Sequence, residues 1–90
     1  MTKIKYMEDG IIIDGHAGNP VVCNGISAIS QMVANFAEER GWANVTVSDG
    51  HLEMRNVSEE HCGDALFQAM VIAFEDIAVQ YPDCMQIVRE

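Results

Sequence analysis

Positive charge is scarce in this chain of 90 residues: five Lys and Arg stand against fourteen Asp and Glu, for a formal net charge of −9. The cations, Lys3, Lys5, Arg40, Arg55 and Arg89, are scattered. Neutralising nucleic-acid phosphates needs clustered Lys and Arg, so the composition argues against a nucleic-acid partner. A basic peptide stays compatible with it. Cysteine is also sparse. Cys23, Cys62 and Cys84 are odd in number and form no C-x-x-C pair, which argues against a disulfide framework and fits free thiols in a reducing, cytoplasmic compartment. No apolar run reaches the length of a bilayer span, and the opening segment MTKIKYMEDG lacks the apolar stretch of a secretory signal. Repeats, linkers and low-complexity segments are missing too. What is there is 49% hydrophobic, enough for one modest core, and residues 1–90 read as a single domain with no membrane contact.

Two Asp-Gly pairs punctuate the chain. The first, Asp9-Gly10, separates residues 3–8 from 11–16 and suits a two-residue type I′ hairpin turn, a register in which Tyr6 faces Ile13. The second, Asp49-Gly50, separates Trp42–Ser48 from His51–Val57 and pairs Val47 with Leu52 and Val45 with Met54, so turn chemistry and alternation agree on one buried face. Between the hairpins, Val22, Ile26, Ile29, Val33 and Phe36 recur at steps of four and three. That spacing predicts a helix from about Pro20 to Arg40, opened by an Asn19 N-cap with proline at its first position and stopped by Gly41. A second helix is predicted from an N-cap at Ser58 to about Gln80, ahead of Pro82. It carries two adjacent apolar stripes, Leu66, Met70, Ala73, Ile77 and Phe67, Val71, Phe74, Ala78, broader together than packing on one sheet face requires. Either both helices lie side by side on the sheet, or part of this arc meets a second copy in a homodimer. A last strand at about Met85–Arg89 completes the order ββαββαβ, an α+β fold with two helices packed on a small, mostly antiparallel sheet.

The chemistry concentrates in the stretch IIIDGHAGNPVVCNGISAI. His16 closes an apolar run that reads as a strand, and Cys23 falls in the first turn of the helix that Asn19 and Pro20 open. Unpaired backbone N–H groups and the positive end of the helix dipole favour negative charge there. Six residues, Ala17 to Val22, are ample to bring the strand end back to the helix start. A histidine beside a cysteine is the minimal equipment of a thiol nucleophile with its base. Each residue alone would be ordinary, since an isolated cysteine in a helix is usually a small core residue. Asp14, on the same strand face two residues earlier, is a candidate to orient the His16 ring. A metal site using His16 and Cys23 with His51, His61 or Cys62 is the rival reading, but these spacings match no zinc pattern, and no metal or cofactor is expected.

Gly15-His16-Ala17 followed by Val22-Cys23 and Ser27 is similar to the signature of the ribosomal-processing cysteine protease family, Prp. The order of elements over nearly the whole chain resembles that family as well. The resemblance implies a catalytic His16/Cys23 dyad with Ser27, one helical turn beyond the thiol, as a supporting residue. It further implies a homodimer and, as substrate, the N-terminal extension of a ribosomal large-subunit protein in a bacterium. The chain departs from the pattern in two places: the loop between histidine and cysteine is several residues shorter, and Pro20 stands where the family has an Asp. Two alternatives follow from these departures, a phage or prophage relative that trims a virion protein, and a catalytically silent binding module.

Overall fold

The computed structural model describes residues 1–90 as β1 (Thr2–Met7), β2 (Gly10–Asp14), α1 (Pro20–Glu39), β3 (Asn44–Ser48), β4 (His51–Arg55), α2 (Ala65–Gln80) and β5 (Met85–Arg89). This is the expected ββαββαβ order. The strands form one sheet in the order β3-β4-β2-β1-β5, antiparallel at every pairing except that of β1 with β5. Successive side chains of a strand point to opposite faces. The registers therefore align Val47, Leu52, Ile13, Ile4 and Ile87 in one row across the sheet and Val45, Met54, Ile11 and Tyr6 in the next. Both helices pack on this apolar face, where Ile4, Ile11, Val33 and Phe74 are the largest fully enclosed side chains. Lys3, Lys5, Asp14, Glu53 and Arg55 occupy the other face, which no helix covers. Neither helix is long and apolar enough to cross a membrane.

Helix α1 starts and stops on the residues that local chemistry designates. The Asn19 side chain accepts the Val21 N–H at 3.0 Å, proline fills the first helical position, and Gly41 follows the helix with φ +73°. Val22, Ile26 and Val33 are buried, Ile29 is half-buried against the same core, and Phe36 is half-buried against Trp42. The second hairpin also forms as expected, with Val47 opposite Leu52 and Val45 opposite Met54. Its first strand begins at Asn44 instead of Trp42, because Trp42 packs edge-on against Phe36 and stacks on His61.

Two expectations are corrected. In the first hairpin Met7 pairs with Gly10 and Tyr6 with Ile11, so Glu8 and Asp9 make the turn and Tyr6 does not face Ile13. A slip of two residues keeps every side chain on its face. Glycine is what permits this register beside β4: a Cβ at Gly10 would lie 1.9 Å from the Met54 carbonyl oxygen, so only glycine allows this approach. Asp9 is also tied beyond β4, its carbonyl accepting the Val57 N–H at 2.8 Å. In the second helix the cap is Asp64, whose carboxylate accepts the Leu66 N–H at 2.9 Å, and not Ser58. Residues 59–63 form turns, held by the Ser58 N–H on the Trp42 carbonyl (2.9 Å) and by the His61 ring stacked 3.8 Å from that of Trp42. A tertiary contact here overrides a local capping preference.

Most of the broad apolar arc of α2 is taken up inside the chain, as α1 and α2 lie side by side on the sheet. Phe67, Met70 and Phe74 are buried, and Leu66, Ile77 and Ala78 pack against the same core. The large apolar residues that α2 leaves exposed, Ile72 and Val79, belong to neither stripe.

Tyr6 is half-buried, and its hydroxyl is enclosed without a hydrogen-bond partner. Burial pushes its pKa up to about 12 from 10.0, with Arg89 pulling down and Glu75 adding to the rise. The folded chain thus holds the phenol proton where the unfolded chain has lost it. This contribution to stability is complete below pH 10 and falls away as pH rises through 12. Denaturant midpoints should therefore decline between these values, and Tyr6→Phe should show a shallower decline over the same window.

Candidate active site

The site lies at the end of the sheet where β2 finishes and β4 begins. Gly15 turns the chain off β2 with φ +91°, and a Cβ there would meet the Met1 carbonyl oxygen at 2.6 Å. His16 follows, exposed, and then Ala17, buried. Gly18, with φ +77°, reverses the chain toward the Asn19 cap. So short a connection folds back on itself: the Ala17 N–H donates to Cys23 Sγ at 3.2 Å. The Cys23 N–H belongs to the helix ladder, bonded to the Asn19 carbonyl at 2.9 Å. An N–H aimed at sulfur stabilises negative charge on it, in the same sense as the helix N-terminus beneath it.

A cleft of about 230 Å³ opens beside the thiol, and His16, Cys23 and Ser27 all line it together with Asp49, Gly50 and His51. The structure thus brings together the three residues singled out from the sequence. The imidazole and the thiol both line this cleft, without a hydrogen bond between them. Ser27 is exposed one turn beyond Cys23, and its carbonyl accepts the Ser30 hydroxyl at 3.3 Å.

Asp14 does not orient His16. Its carboxylate is hydrogen-bonded to His51 Nδ1, its cross-strand partner, while His51 Nε2 lies 3.8 Å from Glu53. The positive φ of Gly15 sends His16 off the sheet, away from the face that carries Asp14. His61 and Cys62 sit in the turns before α2, and no group of three or more His, Cys, Asp or Glu is drawn close enough to hold a metal ion. Two partners of the site escaped the sequence reading. The Ala17 N–H is a backbone group and leaves no residue signature. Gly50 read only as a turn residue, yet a Cβ on it would lie 2.8 Å from His16 Nε2.

A thiol at a helix start, an imidazole on the facing loop and a shared cleft, carried on two helices over a five-stranded sheet, make this a small α+β cysteine protease. The chain belongs to the family of the cysteine protease Prp, whose model matches residues 1–86. Its fold is similar to that of the essential ribosomal processing protease Prp from S. aureus in complex with a substrate peptide, at 19% identity, TM-score 0.85 and full coverage of both chains. The same S. aureus protease with a covalently linked product peptide gives 21% identity and TM-score 0.82, again over the whole of both chains. SMU.848 from Streptococcus mutans is more distant, at 18% identity and TM-score 0.68 over 99% of this chain and 93% of that one. No curated protein matches the chain.

Cys62 is exposed and Cys84 half-buried, but neither accepts a backbone N–H on its sulfur as Cys23 does. Iodoacetamide near neutral pH should therefore modify Cys23 well before the other two, as mapped by peptide mass. Equal, slow labelling of all three would show that the sulfur is not activated.

Proposed function

We propose that this chain is a Cys/His-dyad endopeptidase that removes an N-terminal extension from a ribosomal large-subunit protein in the bacterial cytoplasm. The observation that carries the reading is the Ala17 N–H on Cys23 Sγ at the start of α1, in a cleft shared with His16. His16 takes the thiol proton as general base. The sulfur attacks the scissile carbonyl carbon, a C–S bond forms, and the carbonyl π electrons move to oxygen. Backbone N–H groups at the helix start and its loop are the donors available to that oxyanion. Collapse of the intermediate breaks the C–N bond, and His16 returns its proton to the departing amine. Water, deprotonated by the same imidazole, then hydrolyses the thioester. Ser27 supports this arrangement from the cleft wall and is not the nucleophile. The peptide-bound complexes of the S. aureus protease support a peptide or protein substrate here.

Incubation with large-subunit precursors bearing their N-terminal extensions, read by mass, tests the assignment. Wild type should release the extension, Cys23→Ser should leave the precursor intact while keeping the fold, and His16→Ala should slow cleavage by roughly a hundredfold or more. Cleavage by Cys23→Ser at the wild-type rate would exclude the thiol as nucleophile. Precursors left intact by wild type would favour the binding module, and release of a virion-protein segment instead would identify a phage function.

Self-association is part of the same proposal. Ile72 and Val79 on α2 and Val21 and Met32 on α1 are large apolar side chains left exposed, and burying such groups between two copies removes them from water. Light scattering should give twice the 9.9 kDa chain mass. A particle of one chain mass at high concentration would reject the dimer.

A further inference from the structure

The imidazole of His16 is exposed, and the carboxylate nearest it in sequence, Asp14, is engaged by His51. A general base needs its ring held, and no carboxylate holds this one. What stands against the ring is a glycine. An ideal Cβ on Gly50 would lie 2.8 Å from His16 Nε2 and 3.4 Å from both Cδ2 and Cε1, so the edge of the ring rests where that carbon would be. The turn is itself anchored to the strand that delivers the histidine, because the Gly15 N–H donates to the Gly50 carbonyl at 2.8 Å, one residue before His16. We propose that the Asp49-Gly50 turn positions His16: the bare α-carbon of Gly50 is the seat of the imidazole, and the Gly15 to Gly50 hydrogen bond holds that seat in register with the cleft. This rests on the reading of His16 as the base of Cys23. Gly50 lines the cleft and acts on the chemistry through the ring, as a positioning residue.

The fold supplies a matched control. Gly41 has φ +73°, close to the +67° of Gly50, so alanine at either position meets the same backbone strain. A Cβ at Gly41 meets nothing within 4 Å, whereas one at Gly50 displaces the ring. The displaced group is the free end of an exposed side chain, which swings aside at little cost to the fold. Stability and activity therefore separate. Gly41→Ala and Gly50→Ala should lose similar Tm. Gly41→Ala should keep wild-type cleavage and Cys23 alkylation, while Gly50→Ala should lower kcat roughly a hundredfold with KM little changed, the scale of misplacing a catalytic group by about 1 Å. The pH profile of Cys23 alkylation in Gly50→Ala should match that of His16→Ala. Gly50→Ala added to His16→Ala should cost nothing more, since two changes acting through one group are not additive. Gly50→Asn carries the comparison with less strain, because asparagine tolerates positive φ, and it should show the same loss of rate. Wild-type rates in Gly50→Ala or Gly50→Asn while His16→Ala is impaired would overturn the positioning role and leave the dyad standing. Additive losses in the double variant would overturn it in the same way. Wild-type rates in His16→Ala would overturn the dyad and the positioning role together.

Discussion

The antiparallel register of β2 against β4 is the constraint on which the rest of this molecule depends. Ile13 lies opposite Leu52 and Asp14 opposite His51, and the ladder is extended by the Gly15 N–H on the Gly50 carbonyl. Because side chains alternate with a period of two, a slip of one residue would turn Ile11 and Ile13 onto the uncovered face. Burial forbids that slip. Ile11, Ile13, Leu52 and Met54 are enclosed beneath the helices, and each buried aliphatic side chain stabilises its face by about 1.5–3 kcal/mol relative to exposure. The same register delivers the β3-β4 turn to the end of β2, where the chain leaves the sheet with His16. Core packing thus sets site geometry through a sheet register, and core residues Ile13, Ile26 and Leu52 also line the cleft itself.

The connection between β2 and α1 works by its brevity. Gly15 and Gly18 adopt positive φ, Asn19 caps, and Pro20 opens the helix, so five residues reverse the chain and leave its middle facing the first helical turn. In that geometry the N–H of Ala17 has the Cys23 sulfur as its partner. A longer loop would have room to satisfy that N–H in other ways. His16 and Cys23 stand at the rim of the sheet, exposed and half-buried respectively, which is where a polypeptide can reach them.

The uncovered sheet face explains a second feature of the site. Its polar groups meet across and along the strands, with His51 between Asp14 on β2 and Glu53 on its own strand, and Arg55 near Asp9 of the first turn. A histidine with carboxylates at both ring nitrogens is tied into this surface network. Both imidazoles line the cleft, but His16, lifted off the sheet by Gly15, carries no carboxylate on its ring.

Much of this was legible in the sequence, because it depends on residues a few positions apart. Periods of two and of three to four assign faces to strands and helices, Asn19 and Pro20 open α1, and Asp49-Gly50 sets the second hairpin. His16 and Cys23 stood out on the same grounds, Ser27 through the family resemblance, and all three share one cleft. The sequence by itself determined these local elements and the residue types of the site. Tertiary structure alone decided the rest, where distant segments compete for the same groups. Gly10 enters β2 where the Met54 carbonyl leaves no room for a Cβ, the Trp42 stack on His61 leaves the capping of α2 to Asp64, and His51 takes Asp14 from His16. The seat of the His16 ring on Gly50 is of the same kind, a contact between two turns that meet only because β2 and β4 are neighbours in the sheet. Local chemistry proposes partners within reach along the chain, and packing chooses among them once the sheet has brought others closer.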